Sequence, residues 1–175
     1  MKAGNHRTEV RLKGIAAAPG VARGPVYPLM RGMAIVSCEK VADPEAEIRR
    51  LEAALAATHQ EISQLRDDVA RKLNESEASI FDAHLLVLDD VALIDDVSKE
   101  VRRSGFNVEF CFQEVAQRYI EIFEKMDDDF LRERASDIRD VTGRVLDQLL
   151  GTQPERVGQA AQAHVVAASD LTPSD

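Results

Sequence analysis

The sequence predicts a mainly α protein: an antiparallel up-and-down four-helix bundle with a bent second helix, inserted in a truncated α/β domain represented by short terminal β-strands. Three observations predict it. Apolar residues recur at spacings of three and four from Asp43 to Gly151, the signature of amphipathic helices. Turn and cap residues divide that stretch into long runs joined by short loops, which forces neighbouring helices to run antiparallel. Extended, Gly/Pro-punctuated segments occur before and after it, which places residues 10–36 and 152–175 in one second unit and residues 43–151 in the helical one.

Within residues 10–36 the reading is strand, turn, strand. Lys13, Gly14 and Ile15 lead into the turn Ala18-Pro19-Gly20. Val21, Arg23, Val26 and Tyr27 resume extended character, with Gly24-Pro25 restricting that strand to an edge or bulge. A third extended piece, Ala34 to Val36, ends near Cys38.

Asp43 caps the first helix and Pro44 occupies its first position, where a missing N–H costs nothing. Ile48, Leu51, Leu55, Ile62, Leu65 and Val69, with Thr58 in the polar slot, form a narrow seven-residue stripe sustained to Leu73. A helix of roughly thirty residues is about 45 Å long, and so narrow a stripe calls for a helix partner, either inside the fold or on a second copy of the chain. His59 lies beside the stripe as a solvated flank residue.

Asn74, with Glu77 three residues on, opens the second arm. Projected at about 100° per residue, Ile80, Phe81, His84, Leu85, Val87 and Leu88 share one broad sector and Leu86 falls on the far side. That is more apolar surface than one packing contact consumes, so one face, containing His84 or Leu86, is predicted to be open to a partner. Asp89-Asp90 bends the arm, and Leu93, Ile94, Val97 and Val101 continue it to Ser104-Gly105. Asn107 is predicted to cap a third helix, Val108 to Met126, with Val108, Phe112, Val115, Tyr119, Ile122 and Met126 inward. After the acidic turn at residues 127–129 a fourth helix runs from Phe130 to Leu150, with Leu131, Ala135, Ile138, Val145 and Leu149 inward, and stops at Gly151. A polar linker, Thr152 to Gln162, leads to a small-residue strand, Ala163 to Ala168, and Thr172-Pro173 reads as the start of an element that continues past the chain.

A net charge of −9 disfavours a nucleic-acid partner and suits a basic or neutral protein. Cys38 and Cys111 lie far apart with no C-x-x-C, which fits a reducing cytoplasm rather than a disulfide or zinc framework. The apolar run Ile15 to Ala18 is too short for a signal peptide, and no stretch is long enough to span a bilayer. Ala56 and Phe81 stand three residues before His59 and His84, so the Glu-x-x-His pairs of a di-metal bundle are missing. Phosphate-loop, dinucleotide and hydrolase-elbow motifs are missing as well. No catalytic residue and no metal ligand is predicted. His84 admits three readings: a histidine half-packed at a helix bend, a contact for a docked partner, or a phosphoryl acceptor in a bundle-type signalling module. Arg132 to Asp140 alternates in charge and reads as a solvated ladder, with Arg134 and Arg139 able instead to pair with acids of the Asn74 arm.

Four segments in register, GIAAAPGVARGPV, IFDAHLLVLDD, DDDFLRERASDIRDV and AASDLTPSD, resemble the N-terminal region of enzyme I of the bacterial phosphoenolpyruvate-dependent sugar phosphotransferase system. The resemblance covers nearly all of Gly14 to Asp175. It implies a transferase in which a helical subdomain, inserted in a swivelling phosphohistidine domain, docks the small phosphocarrier protein HPr. It also implies a phospho-accepting histidine, a magnesium and phosphoenolpyruvate site, and a dimerising region, all beyond this chain. Carried over residue by residue, the carrier-binding surface falls on Glu75, Ser79, His84, Leu86, Val87, Asp90, Leu93 and Arg134. Val91, Ala92 and Ser76 depart from the better-known members by thinning the acidic rim, which implies a more apolar, less salt-sensitive contact. A nitrogen-regulatory branch of the family is the alternative, and the short N-terminus favours the sugar branch.

Overall fold

The computed structural model describes residues 14–15, 19–29, 35–152 and 165–168. Eight elements follow in chain order: β1 (Val26–Leu29), α1 (Pro44–Lys72), α2 (Glu75–Ala78), α3 (Ile80–Leu88), α4 (Val91–Ser104), α5 (Val108–Glu124), α6 (Asp129–Leu150) and β2 (Val165–Ala168). The protein is mainly helical, with two short parallel strands.

The helix ends are set by local chemistry. Asp43 accepts from the backbone N–H groups of Glu45 and Ala46 and holds α1 at Pro44. Asp90 accepts from Ala92 and Leu93 N–H, and Asp128 from Leu131 N–H, starting α4 and α6. Gly105 and Gly151 end α4 and α6 with φ of +63° and +66°, a left-handed conformation that a side chain would strain.

The predicted single helix from Asn74 is two pieces. Asn74 does accept from Glu77 N–H at 3.0 Å, but α2 lasts one turn. Ser79 then turns its hydroxyl back onto the Ser76 carbonyl at 2.8 Å, and Asp82 N–H reaches the Ser79 carbonyl, a tight three-residue step that restarts the helix as α3. With the break at Asp89-Asp90, the second arm is in three pieces.

One apolar cluster runs through all the long helices. Ile48, Leu51 and Ile62 of α1 meet Phe81 and Leu88 of α3, Val97 and Val101 of α4, Phe112 and Val115 of α5, and Val141 and Val145 of α6. Thr58, the one polar residue of the stripe, is buried and donates to the Ala54 carbonyl at 2.9 Å, so its hydroxyl is satisfied. The α1 stripe is therefore consumed inside the fold, which removes the ground for a dimer built on it. A smaller cluster of Ile120, Ala135 and Ile138 closes the α5–α6 end. Here the structure corrects the sequence: Ile122, predicted inward, is 55% exposed, and Ile120 occupies the core position. The stripe on α5 runs 108, 112, 115, 116, 120, and a residue seven after Val115 has drifted off it, because 3.6 residues per turn does not divide seven.

Cross-links between helices record how they pass one another. Arg50 near the start of α1 reaches both Glu109 at the start of α5 and the Leu149 carbonyl at the end of α6. Further along, Glu61 meets Arg144 and Gln148 of α6, and Glu124 at the end of α5 meets Arg139 of α6. Glu45 is paired with Arg102 at the end of α4.

Asn107 stands at the N-cap position of α5, as predicted, but its side chain makes no capping bond. It accepts from Glu39 N–H at 3.0 Å and donates to Glu109 at 3.0 Å, and the first N–H of the helix, that of Val108, goes to the Glu47 carboxylate of α1 at 2.9 Å. The chain ahead of α1 is clipped to the same corner. Asn107 N–H donates to the Glu39 carbonyl, Val41 N–H donates to the Gly105 carbonyl, and Lys40 lies 4.1 Å over the Phe106 ring.

β1 and β2 pair in parallel, Val26 opposite Val165 and Leu29 opposite Ala168, with Val165 N–H on the Pro25 carbonyl at 2.8 Å. Pro28 in β1 lacks an N–H, which suits a strand at an edge. Of the predicted extended piece, Ile35 and Val36 form no strand and Ala34 lies outside the described residues; an isolated bridge pairs Lys40 with Phe106 further on. The predicted strand from Val10 and the Thr172-Pro173 start lie outside the described residues.

Candidate functional site

The eight residues singled out from sequence divide into a surface group and a buried group. Leu86 is 71% exposed on α3, two residues from His84 and Leu88 and five from Phe81, all three of which are buried. It is the apolar residue that the helical projection places off the core face. Glu75, Ser79 and Asp90 are exposed around it in sequence, and Val87 is half-buried against Ile120, Ala135 and Ile138. Asp90 has a structural task as the cap of α4. Val91 beside it is an exposed apolar residue, which adds to the open surface of the bend.

His84 is 0% exposed and Leu93 5%, so both side chains lie beneath the surface that the resemblance implies, His84 more deeply than a half-packed residue at a bend. The physical reason is the same for both: each side chain lies on the stripe that meets other helices, three residues from Phe81 in one case and four from Val97 in the other, so helical geometry turns it inward. Burial also removes His84 as a phosphoryl acceptor in this conformation, since no donor can reach its ring. Phe81 stands edge-on to it with centroids 5.7 Å apart.

Around His84 the structure assembles groups that the sequence reading left in a solvated ladder. Asp137 Oδ1 of α6 is 3.6 Å from His84 Nε2 and Asp140 Oδ2 is 3.9 Å from Nδ1. Desolvation lowers the imidazole pKa from its ordinary 6.5; Asp140 and Asp137 pull it back up, Arg144 pushes it further down, and burial prevails. Arg134 donates to Asp137 Oδ2 at 3.2 Å, within its own helix, and Arg139 pairs with Glu124 of α5, a ladder pair and a cross-helix pair.

Arg66 of α1 is the residue that sequence reasoning missed on the surface side. It donates to Asp82 at 2.6 Å and Glu75 at 3.3 Å, tying α1 to both α2 and α3. Two acids of the candidate face are thus partly neutralised from behind. An open cleft of about 410 Å³ lies one turn before His84, between Val69 of α1 and Leu73 just past its end on one side and Ser79, Ile80 and Phe81 on the other.

No helix among the described residues is long and apolar enough to cross a membrane. Cys38 is exposed and Cys111 buried, both as free thiols, and burial pushes the Cys111 thiol up.

The helical body is flanked by two short strands, β1 and β2, that pair with each other. The chain belongs to the family described as PEP-utilising enzyme, N-terminal, whose model matches residues 13–134. A phosphoenolpyruvate-protein phosphotransferase of Geobacillus stearothermophilus is 42% identical over 172 residues, covering 98% of this chain and 30% of the relative. That of Bacillus subtilis is 37% identical over 164 residues, 94% of this chain and 29% of the relative. The chain spans about three tenths of the length of these curated relatives. A solution structure of enzyme I superposes with a TM-score of 0.78 at 32% identity, covering 94% of this chain and 67% of that one. The N-terminal domain of a nitrogen-type enzyme I gives 0.62 at 26% identity, with 87% and 61% covered.

Proposed function

We propose that this chain is the docking part of a phosphoenolpyruvate-protein phosphotransferase, and that its α2–α3–α4 arm binds the phosphocarrier HPr so that a phosphoryl group passes from an enzyme histidine outside the chain to HPr during sugar uptake in the cytoplasm. In this reading the helices form an antiparallel up-and-down bundle inserted in a swivelling α/β domain. The crossed pairs Arg50–Leu149, Glu61–Arg144 and Glu124–Arg139 support the bundle. The parallel pairing of β1 with β2, from opposite ends of the chain, supports the insertion. Magnesium and phosphoenolpyruvate belong to a part of the enzyme beyond this chain, as does the dimer contact.

The observation that carries the reading is the exposure of Leu86, at 71% the most exposed apolar side chain of α3, on a helix whose Phe81, His84 and Leu88 are buried. A solvent-facing leucine at the centre of an acid-rimmed bend is the anatomy of a contact: an apolar centre with a charged edge that selects a basic partner. Glu75, Ser79, Val87, Asp90 and Arg134 frame it, while His84 and Leu93 support it from beneath. The likeness to the solution structure of enzyme I is higher in both TM-score and identity than that to the nitrogen-type domain, which supports a branch other than the nitrogen one.

Titrating HPr into the labelled chain should move the amide resonances of α2, α3 and the start of α4, and Leu86→Asp should weaken binding tenfold or more, the scale of about 1.4 kcal/mol or above. A folded chain that shows no response to HPr at millimolar concentration rules the reading out.

A further inference from the structure

Both ring nitrogens of His84 are buried without a hydrogen-bond partner among the described residues. They are not without company. Nε2 faces Asp137 Oδ1 at 3.6 Å and Nδ1 faces Asp140 Oδ2 at 3.9 Å, too long for hydrogen bonds and well inside the range of a strong charge interaction. The charged groups that act on the ring are Asp140, Asp137 and Arg144, all on α6; Arg144 in turn donates to Glu61 of α1 at 2.5 Å. Asp137 has a second commitment. Its other oxygen, Oδ2, accepts from Arg134 Nη1 at 3.2 Å, so one carboxylate lies between a part-exposed guanidinium and a sealed imidazole.

A neutral imidazole carries one N–H and an imidazolium two, so only the charged ring can donate towards both aspartates. While Arg134 neutralises Asp137, Asp140 is the main group left to offset the cost of burying that charge, and burial prevails. When Arg134 turns outward, Asp137 faces His84 as an uncompensated anion at under 4 Å, where opposite charge favours protonation.

We propose that Asp137 is shared between Arg134 at the surface and His84 in the core, so that an anionic group engaging Arg134 is answered by a proton taken up on His84. The proton comes from the solvent onto whichever ring nitrogen carries the lone pair; one N–H bond forms and no electron changes hands. Asp137 and His84 are positioning residues in this scheme, holding the α3–α6 contact beneath the face that presents Leu86. The scheme concerns this chain alone and stands or falls separately from HPr docking.

Imidazole nitrogen resonances of His84, followed by NMR across pH in the full chain, test it. Arg134→Gln should raise the titration midpoint by about half a unit or more, because Asp137 loses its other partner. Arg134→Lys, which keeps a cation, should restore the original curve. Asp137→Asn should lower the midpoint. Folding is checked by thermal unfolding, and Asp137→Asn, which preserves shape, supplies an independent arm if Arg134→Gln is unstable. A His84 curve that stays in place in Arg134→Gln, or in Asp137→Asn, overturns the sharing.

Discussion

Two buried polar clusters hold this protein together, and they are finished to different degrees. At the start of α1, Arg50 donates to Glu47, to Glu109 and to the Leu149 carbonyl, while Glu47 also accepts the first N–H of α5 and Asn107 joins Glu109 to the Glu39 backbone. Every charge there has a partner, and three helices meet on it. At the α3–α6 contact, His84 faces two carboxylates and bonds to neither. A satisfied network fixes one arrangement, because any displacement leaves a charge uncompensated. An unsatisfied one leaves a second arrangement within reach. The second cluster is the one that lies under the exposed Leu86.

The sharpest way to break the comparison is to remove the hub of the first cluster. Arg50→Met leaves Glu47 and Glu109 buried without their cation and should destabilise the chain by about 2–4 kcal/mol, less than for a fully buried arginine because Arg50 is half-exposed. Urea unfolding measures it. The His84 titration should be unchanged, since the groups that act on its ring are Asp140, Asp137 and Arg144 and not Arg50; a shift there would mean that the clusters are one network. A gentler cut, Glu47→Gln, keeps an acceptor for Val108 N–H and loses only the charge facing Arg50, and should cost about 1 kcal/mol in the same assay.

The second cluster should respond to pH where the first does not. Burial holds the folded-state pKa of His84 below the 6.5 of the free side chain, so below pH 6.5 the unfolded chain binds more protons at this position than the folded one. Stability from neutral His84 is therefore complete above pH 6.5 and declines as pH falls through the window beneath it. Glu45, Glu100 and Glu121, with pKa values lowered from 4.5, add their own acid loss only further down. His84→Leu should change stability at pH 7.5 by about 1 kcal/mol or less, since it removes no hydrogen bond, and should flatten the decline between pH 6.5 and 5. Unfolding midpoints that fall equally in both proteins over that interval would refute the assignment.

The halves of this comparison were unequally legible. Asp43-Pro44, Asp90, Gly105 and Gly151 announce helix ends because capping is local chemistry, read within four residues. The buried face of α1 and the outward turn of Leu86 follow from one helix's periodicity. Glu47 as the cap of α5 does not, for it acts on a backbone N–H 61 residues away, and the residue that sequence nominated, Asn107, was drawn off by Glu39 and Glu109. Asp137 and Asp140 have the three-residue spacing of a helix face, yet nothing in their segment says that the face meets a histidine over fifty residues earlier. Ile122 and the break at Ser79 failed for smaller reasons, a drifting register and a hydroxyl that competes with the helix backbone.

The smallest expected effect separates folding from docking. Leu86 is exposed, and its replacement by Asp leaves no cavity and no orphaned group, so Leu86→Asp should alter unfolding free energy by about 0.5 kcal/mol or less. The same change at Phe81, five residues earlier and buried against the core, should abolish cooperative unfolding, because a carboxylate there has no partner and no water. Heat-denaturation profiles of the two variants decide the matter. Should Leu86→Asp unfold the chain as Phe81→Asp does, the leucine is structural after all, and the open face on α3 loses its centre.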